Sequence, residues 1–330
     1  MNIYDIAKIA GVSHTTISRV INSKPGVKEE TRERILKILD EYAYFPNSCA
    51  KGLASNKNKI IGILLIDVRN SHHTDTAFYI EESFAKLGYA SIIAACGWDD
   101  SMQDEYLRVM ASRNVEGLVL IGSRFQNDNA QKSIKKYFND KPVVIANGYL
   151  PLDNVCGVLL EERKAVSQVV DHLVGKGHRN LAFINDNCTV SANNKQQGFL
   201  DGIQKNDLLW NEKNILDIHT RYYVSKEETE KLLREKPEIT AIIYSEDILA
   251  VGGIKACYSL GLKIPEDISI IGFNDSIYSD ISTPTITTID NRTHDTGEYC
   301  SKALHSMLNG ETVEPVYHLE PTFKIKESSL

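Results

Sequence analysis

The chain has 330 residues, 42% of them hydrophobic and 25% charged, with a formal net charge of -7. These are globular proportions, and they exclude a fibrous or wholly disordered chain. The longest apolar run covers only residues 60–66, while a membrane-spanning helix needs about 20 such residues; Met1-Asn2-Ile3-Tyr4-Asp5 also lacks the basic-then-apolar order of a secretory signal, so the expected compartment is the cytoplasm.

The charge is unevenly spread. Residues 1–59 hold ten Lys/Arg against six Asp/Glu, a balance of +4, and the rest of the chain carries -11. A small basic head on a large acidic body directs a polyanionic partner to the head. The six cysteines are widely separated, without a Cys-x-x-Cys pair, and are expected as reduced buried thiols.

In chain order, the head is expected as three helices. The first spans about 3–10, with Ile3, Ile6, Ala7 and Ala10 on one face at helical spacing. Gly11 permits a tight turn and Ser13 is placed to cap a second helix ending near Asn22. Lys24-Pro25-Gly26 breaks the chain, and a third helix follows over about 28–42. Two helices joined by a glycine turn, with a small residue at Ala7 where they cross, form a helix-turn-helix. His14, Thr15, Thr16 and Arg19 then face outward near the start of the second helix, the end that enters a major groove. Arg19 can pair with guanine, and His14 and Thr15 with base edges. Tyr4, Ser13, Ser18 and Asn22 are placed for phosphate contacts.

From residue 60, strands are expected at 60–67, 90–95, 117–121, 142–146, 181–184, 240–244 and 268–273. Helices are expected at about 75–87, 101–113, 161–175, 192–206, 225–235, 247–260 and 294–308. Ser225 and Glu228 fit a capping box at the start of one of these helices. Ile- and Val-rich strands alternating with helices indicate parallel sheets, and about 270 residues of this pattern indicate two lobes. The fold class is therefore α/β, a three-helix head followed by a two-lobed body. The domain division is 1–47 for the head, 48–59 for a linker and 60–330 for the body.

Enzymatic signatures are missing from the sequence. There is no Gly-Lys-Ser/Thr phosphate loop, no Gly-x-Ser-x-Gly elbow and no zinc spacing. Adjacent His72 and His73 rarely bind one metal together, so no metal and no cofactor are expected. The acidic pairs Glu161-Glu162 and Glu227-Glu228 lie on expected helices and read as solvated faces.

The segments Ile3-Tyr4-Asp5-Ile6-Ala7-Lys8-Ile9-Ala10-Gly11-Val12-Ser13 and Ser18-Arg19-Val20-Ile21-Asn22 resemble the head of the lactose/galactose-repressor (LacI/GalR) family. The likeness continues through Val27-Lys28-Glu29-Glu30-Thr31-Arg32, Tyr44-Phe45-Pro46-Asn47, the run from Gly175 to Ile184 and the run from Ile264 to Phe273, in one order along the chain. It implies a DNA-binding transcription regulator, most often a repressor. Such a protein has a body like the periplasmic sugar-binding proteins and binds a palindromic operator as a homodimer. It also implies that residues 48–59 are a hinge, in which Ala50 and Leu53 enter the minor groove and Leu53 wedges a base step. Leu53 packing on the body is the alternative.

In two-lobed α/β folds, ligands sit beyond the carboxyl ends of the strands. With the resemblance, this directs attention to Asn70, His72 and His73 after the first strand, Trp98 after the second and Asn147 after the fourth. In the second lobe it selects Ser191, Lys195, Tyr222, Glu246, Asn274 and Asp275. His72 and His73 stand where the family has aromatic residues, which points to a more polar ligand; Lys195 stands where it has arginine, keeps the charge without the planar fork, and could bind an anionic group. The implied effector is a small molecule, by family expectation a carbohydrate. Other readings remain: a Glu246–Lys195 salt bridge, helix caps at Asn70, Asn274 and Asp275, and a surface loop at His72 and His73. At the level of function the alternatives are a regulator controlled by a partner protein and a sugar-binding module without a DNA role.

Overall fold

The computed structural model describes residues 1–44, 58–186 and 189–329. The chain divides into two compact units, Met1–Asn58 and Lys59–Leu330. Ala50 and Leu53 lie outside the described residues.

The first unit packs α1 (Ile3–Ala10), α2 (His14–Ile21) and α3 (Glu29–Glu41) around a small core of Ile6, Ala7, Ala10, Ile17, Val20 and Ile35. Asn2 starts α1 with a capping box: its side chain accepts from the Tyr4 and Asp5 amides, while the Asp5 carboxylate accepts from the Asn2 amide at 2.8 Å. Gly11 ends the helix at φ 63°, the left-handed conformation that favours glycine. Ser13 caps α2 by accepting from the Thr16 amide at 3.2 Å.

The second unit contains two six-stranded sheets. In chain order its elements are β1 (Ile60–Leu65), α4 (Ser71–Lys86), β2 (Ala90–Ala95), α5 (Asp100–Ser112), β3 (Gly117–Ile121), α6 (Asp128–Tyr137), β4 (Val143–Ala146) and β5 (Val155–Leu160). There follow α7 (Glu162–Gly175), β6 (Leu181–Asp186), α8 (Val190–Lys205), β7 (Ile215–Ile218), α9 (Tyr222–Glu235), β8 (Ala241–Tyr244) and α10 (Asp247–Ser259). The last are β9 (Ser269–Asn274), α11 (Ile277–Ile281), β10 (Thr287–Asp290), α12 (Thr293–Leu308), β11 (Val316–Leu319) and β12 (Thr322–Lys324).

The first sheet runs β11-β5-β4-β3-β1-β2 and is parallel throughout. The second runs β12-β10-β9-β8-β6-β7, parallel except for the antiparallel edge strand β12. The chain crosses between lobes three times: before α7, before α12 and between β11 and β12. Each sheet is covered on both faces, which is why strands such as β3 and β8 are buried at every residue.

Several elements differ from the sequence expectation. Helix α4 begins at Ser71, four residues earlier than expected, because Asn70 caps it through the His73 amide at 3.1 Å. Helix α9 begins at Tyr222, so Ser225 is not its cap. Its buried hydroxyl donates instead to the Leu249 carbonyl at 2.7 Å, tying α9 to α10. Glu162 is not a solvated residue: it is 1% exposed, and its Oε1 accepts from Asn147 at 3.0 Å and Ser191 at 2.6 Å. Strands β5, β7, β10, β11 and β12 and helices α6 and α11 are additional to the expected set.

Candidate nucleic-acid interface and ligand cleft

In the first unit, Ile17 and Val20 pin the inner face of α2 to the core and turn its other face to solvent. His14, Thr15 and Arg19 are exposed on that face, and Thr16 and Ser18 are partly exposed. Tyr4, 66% exposed on α1, places its ring 5.2 Å from that of His14, so the two form one aromatic shelf. The Ser13 hydroxyl is engaged with Thr15 and Thr16 at 2.8 and 2.9 Å. The Asn22 side chain donates to the Ser18 carbonyl at 2.8 Å and orders the helix end.

The second unit holds a cavity of about 840 Å³ between its two sheets. It lies where both sheets present the carboxyl ends of their central strands, the position that doubly wound folds reserve for ligands. Lobe 1 contributes Asn70, His72, His73, Trp98, Ser123 and Asn147 to its wall. Lobe 2 contributes Asp186, Ser191, Lys195, Tyr222, Glu246 and Asn274. Ten of the eleven body residues singled out in the sequence therefore line one cavity.

Asp275 is the exception. Its carboxylate is held by Lys324 at 2.6 Å and Lys326 at 2.7 Å, and it lines a smaller neighbouring cavity of about 290 Å³. Desolvation opposes its ionisation, but the bonds to the two lysines hold its pKa below the usual carboxylate range. It is a structural anchor for the final strand and not part of the ligand wall.

His72 and His73 sit in the first turn of α4 and not in a surface loop. Burial lowers the pKa of His72 to about 3 and that of His73 to about 4, with Lys195 adding repulsion to both. Both imidazoles are neutral at pH 7. His72 Nδ1 shares a hydrogen bond with the Thr293 hydroxyl at 3.2 Å. Gly122 approaches His73 so closely that a Cβ there would lie 3.1 Å from its Nε2, and its φ of 114° also requires glycine.

Glu246 is pushed up to about 8 by burial and by the neighbouring Asp186 carboxylate, so at neutral pH it is mostly protonated. Its Oε2 accepts from Asn274 at 2.8 Å, and Asn70 also bonds to its carboxyl group. Asn70 thus caps α4 and reaches across to the second lobe. Asn274 is no helix cap: it ends β9 at φ 102° and accepts from Asn291 at 2.7 Å. Lys195 is 4% exposed, donates to the Ser245 carbonyl at 3.0 Å and lies 4.0 Å from the Phe273 ring centroid. The alternative reading of a Glu246–Lys195 salt bridge is not met among the ion pairs of the described residues, where Lys195 donates to the Ser245 carbonyl instead.

Asp186 and Ser123 line the cavity but were missed in the sequence. Strand β6 extends two residues beyond its apolar run to end at Asp186. The carboxyl-end rule would have selected it had the strand been drawn to its full length. Among the described residues, no group of three His, Cys, Asp or Glu side chains is arranged to hold a metal ion. Cys96, Cys156, Cys257 and Cys300 are buried free thiols whose pKa values burial raises.

Comparison with known proteins decides the family. Residues 2–47 match the model for bacterial regulatory proteins of the lacI family, and residues 170–329 match the periplasmic binding protein-like domain. An HTH-type transcriptional regulator of Lachnoclostridium phytofermentans is 30% identical over 315 residues, which cover 95% of this chain and 95% of the relative. The chain belongs to the lacI family of bacterial regulatory proteins. Catabolite control protein A of Priestia megaterium is 29% identical over 95% of this chain and 94% of its own length. The lac repressor dimer bound to operator and the anti-inducer ONPF has the same fold, with a TM-score of 0.89 at 21% identity, over 99% of this chain and 98% of that one. The regulator is a DNA-binding transcription factor, and its relatives are regulators and not enzymes. No helix among the described residues is long and apolar enough to cross a membrane.

Proposed function

We propose that this lacI-family regulator is a repressor that binds a palindromic operator as a homodimer and is switched by a small polar molecule, a carbohydrate by family likeness, held in the cleft. Residues 1–47 act as the reading head, 48–59 as the hinge and 60–330 as the sensing body. Arg19, His14 and Thr15 read bases, with Thr16 beside them on the groove-facing side of α2, while Tyr4, Ser13, Ser18 and Asn22 position the head on phosphates. Ala50 and Leu53 belong to the hinge that enters the minor groove, where Leu53 is the wedge.

The observation that carries the sensing role is the cleft itself. Amides, hydroxyls and imidazoles converge on it from both lobes at strand carboxyl ends, with Trp98 and Tyr222 half-exposed as apolar platforms. A ligand touching both walls binds one lobe arrangement better than another. Only such differential affinity can shift the protein between DNA-competent and DNA-incompetent states.

Titrating a protein–operator complex with a carbohydrate panel tests this reading. One or more sugars should change fluorescence anisotropy, and Asn70→Ala with Asn274→Ala should abolish the change while specific operator binding is retained. A sugar response that survives the double substitution would place the effector elsewhere.

A further inference from the structure

Lys195 is an unusual group to leave inside a protein. Its side chain is 96% buried, yet its ammonium makes one hydrogen bond, to the Ser245 carbonyl, and faces the Phe273 ring. Three donors are available on an ammonium. A buried charge is normally paired, because desolvation without compensation is costly. Among the described residues Lys195 has no ion-pair partner.

The nearby carboxyl groups are committed elsewhere. Asp186 accepts from the Ser245 hydroxyl at 2.7 Å and the Thr220 hydroxyl at 3.0 Å, one on each oxygen. Glu246 accepts from Asn274 and is mostly neutral at pH 7. Both neighbouring histidines are neutral as well. The cavity wall carries Arg69, Arg124 and Arg221 besides Lys195, against the carboxyl groups of Asp67, Asp186 and Glu246. Arg69 is satisfied by Asp67, and Arg124 by Asp100.

Resting on the cleft reading above, we propose that the effector carries an anionic oxygen group, a carboxylate or a phosphate, that docks on Lys195. The group completes the ammonium's hydrogen bonds and supplies the missing counter-charge. A purely neutral sugar would leave that charge buried and uncompensated. Hydroxyls on the rest of the ligand would meet Asn70, Asn274, Ser191 and the imidazoles.

The test uses the full-length regulator and measures its thermal midpoint at constant ionic strength. The probes are inorganic phosphate, D-glucuronate and D-glucose, the last differing from glucuronate in bearing a hydroxymethyl group in place of the carboxylate. Phosphate or glucuronate should raise the midpoint by roughly 2–4 °C near tenfold excess over its dissociation constant, and glucose should not match it. The rise should vanish in Lys195→Met and Lys195→Gln and persist in Lys195→Arg. A response to phosphate alone identifies a phosphorylated effector class; a response to glucuronate alone identifies a sugar acid.

The proposal is overturned if neither anion acts at concentrations up to about 50 mM, well above the millimolar range of a weak subsite. It is equally overturned if the anions act alike on wild type and both neutral variants. Neutral-sugar release of the operator that ignores Lys195→Gln would remove the anion and leave the cleft reading standing. The cleft reading fails separately, by the Asn70 and Asn274 test.

Discussion

His72 and His73 show how much of this site is set by burial. Their pKa values lie at about 3 and 4 in the folded protein, below the ordinary 6.5. Below 6.5 the unfolded chain binds protons that the folded chain refuses, so stability falls as pH drops through that window. Glu246 acts in the opposite sense. Its pKa rises from 4.5 to about 8, so its contribution falls as pH rises through that interval. Asp247, raised to about 6 by burial, acts in the same sense as Glu246. Between about pH 4.5 and 6 the two carboxyl groups therefore offset the two histidines, and the net decline sets in above about pH 6. Urea unfolding at about pH 5, 6.5 and 8.5 should show little change between the first two and a loss of stability at the third. His72→Gln with His73→Gln should make stability rise from about pH 6.5 to about pH 5, and Glu246→Gln should flatten the alkaline limb. The same flat acid side in the double histidine variant would contradict these assignments. The residue types were legible in the sequence, and so was their place beyond strand ends. Their protonation states were not, because they depend on how tightly Gly122, Lys195 and Asp186 surround them.

One close helical contact bears on the stability of the elements that hold the site. Helices α7 and α8 meet backbone to backbone at Gly198, where an added Cβ would overlap the Arg163 carbonyl. Gly198→Ala should therefore cost about 1–3 kcal/mol, as overpacking does. Gly175→Ala, with nothing within 4 Å of the new methyl group, should be neutral or slightly stabilising. Equal urea midpoints for these two variants would refute the close approach. In the head, Ser13→Ala removes the cap of α2 and should cost about 1 kcal/mol in thermal unfolding of that unit.

The head helices were readable because apolar spacing, Gly11 and Ser13 agree with one another. The central strands of the body were readable because they are continuous apolar runs. Strand β10 was not: its buried threonines are satisfied by Lys326, Asp247 and Ser328, partners that only the tertiary fold supplies. Strands β11 and β12 have four and three residues, and the chain changes lobe between them, a fact with no local signal. Helix α6 was missed because its buried face is only Ala130, Ser133 and Ile134, so the apolar period is weak.

At the scale of the whole molecule, a basic unit presents an exposed polar recognition helix, and an acidic unit encloses a polar cleft. Arg19→Ala should weaken specific DNA binding by about 1–3 kcal/mol and relax preference at the base it reads, while leaving non-specific binding almost unchanged. The most direct test of the central claim is selection of bound duplexes from a randomised pool. It is followed by anisotropy on the enriched sequence and a scrambled control, both at physiological salt because salt sets affinity. The account predicts enrichment of an inverted repeat, bound by two protomers, with selectivity lost in Arg19→Ala. Enrichment of no sequence, with or without the sugar and anion probes, would contradict it.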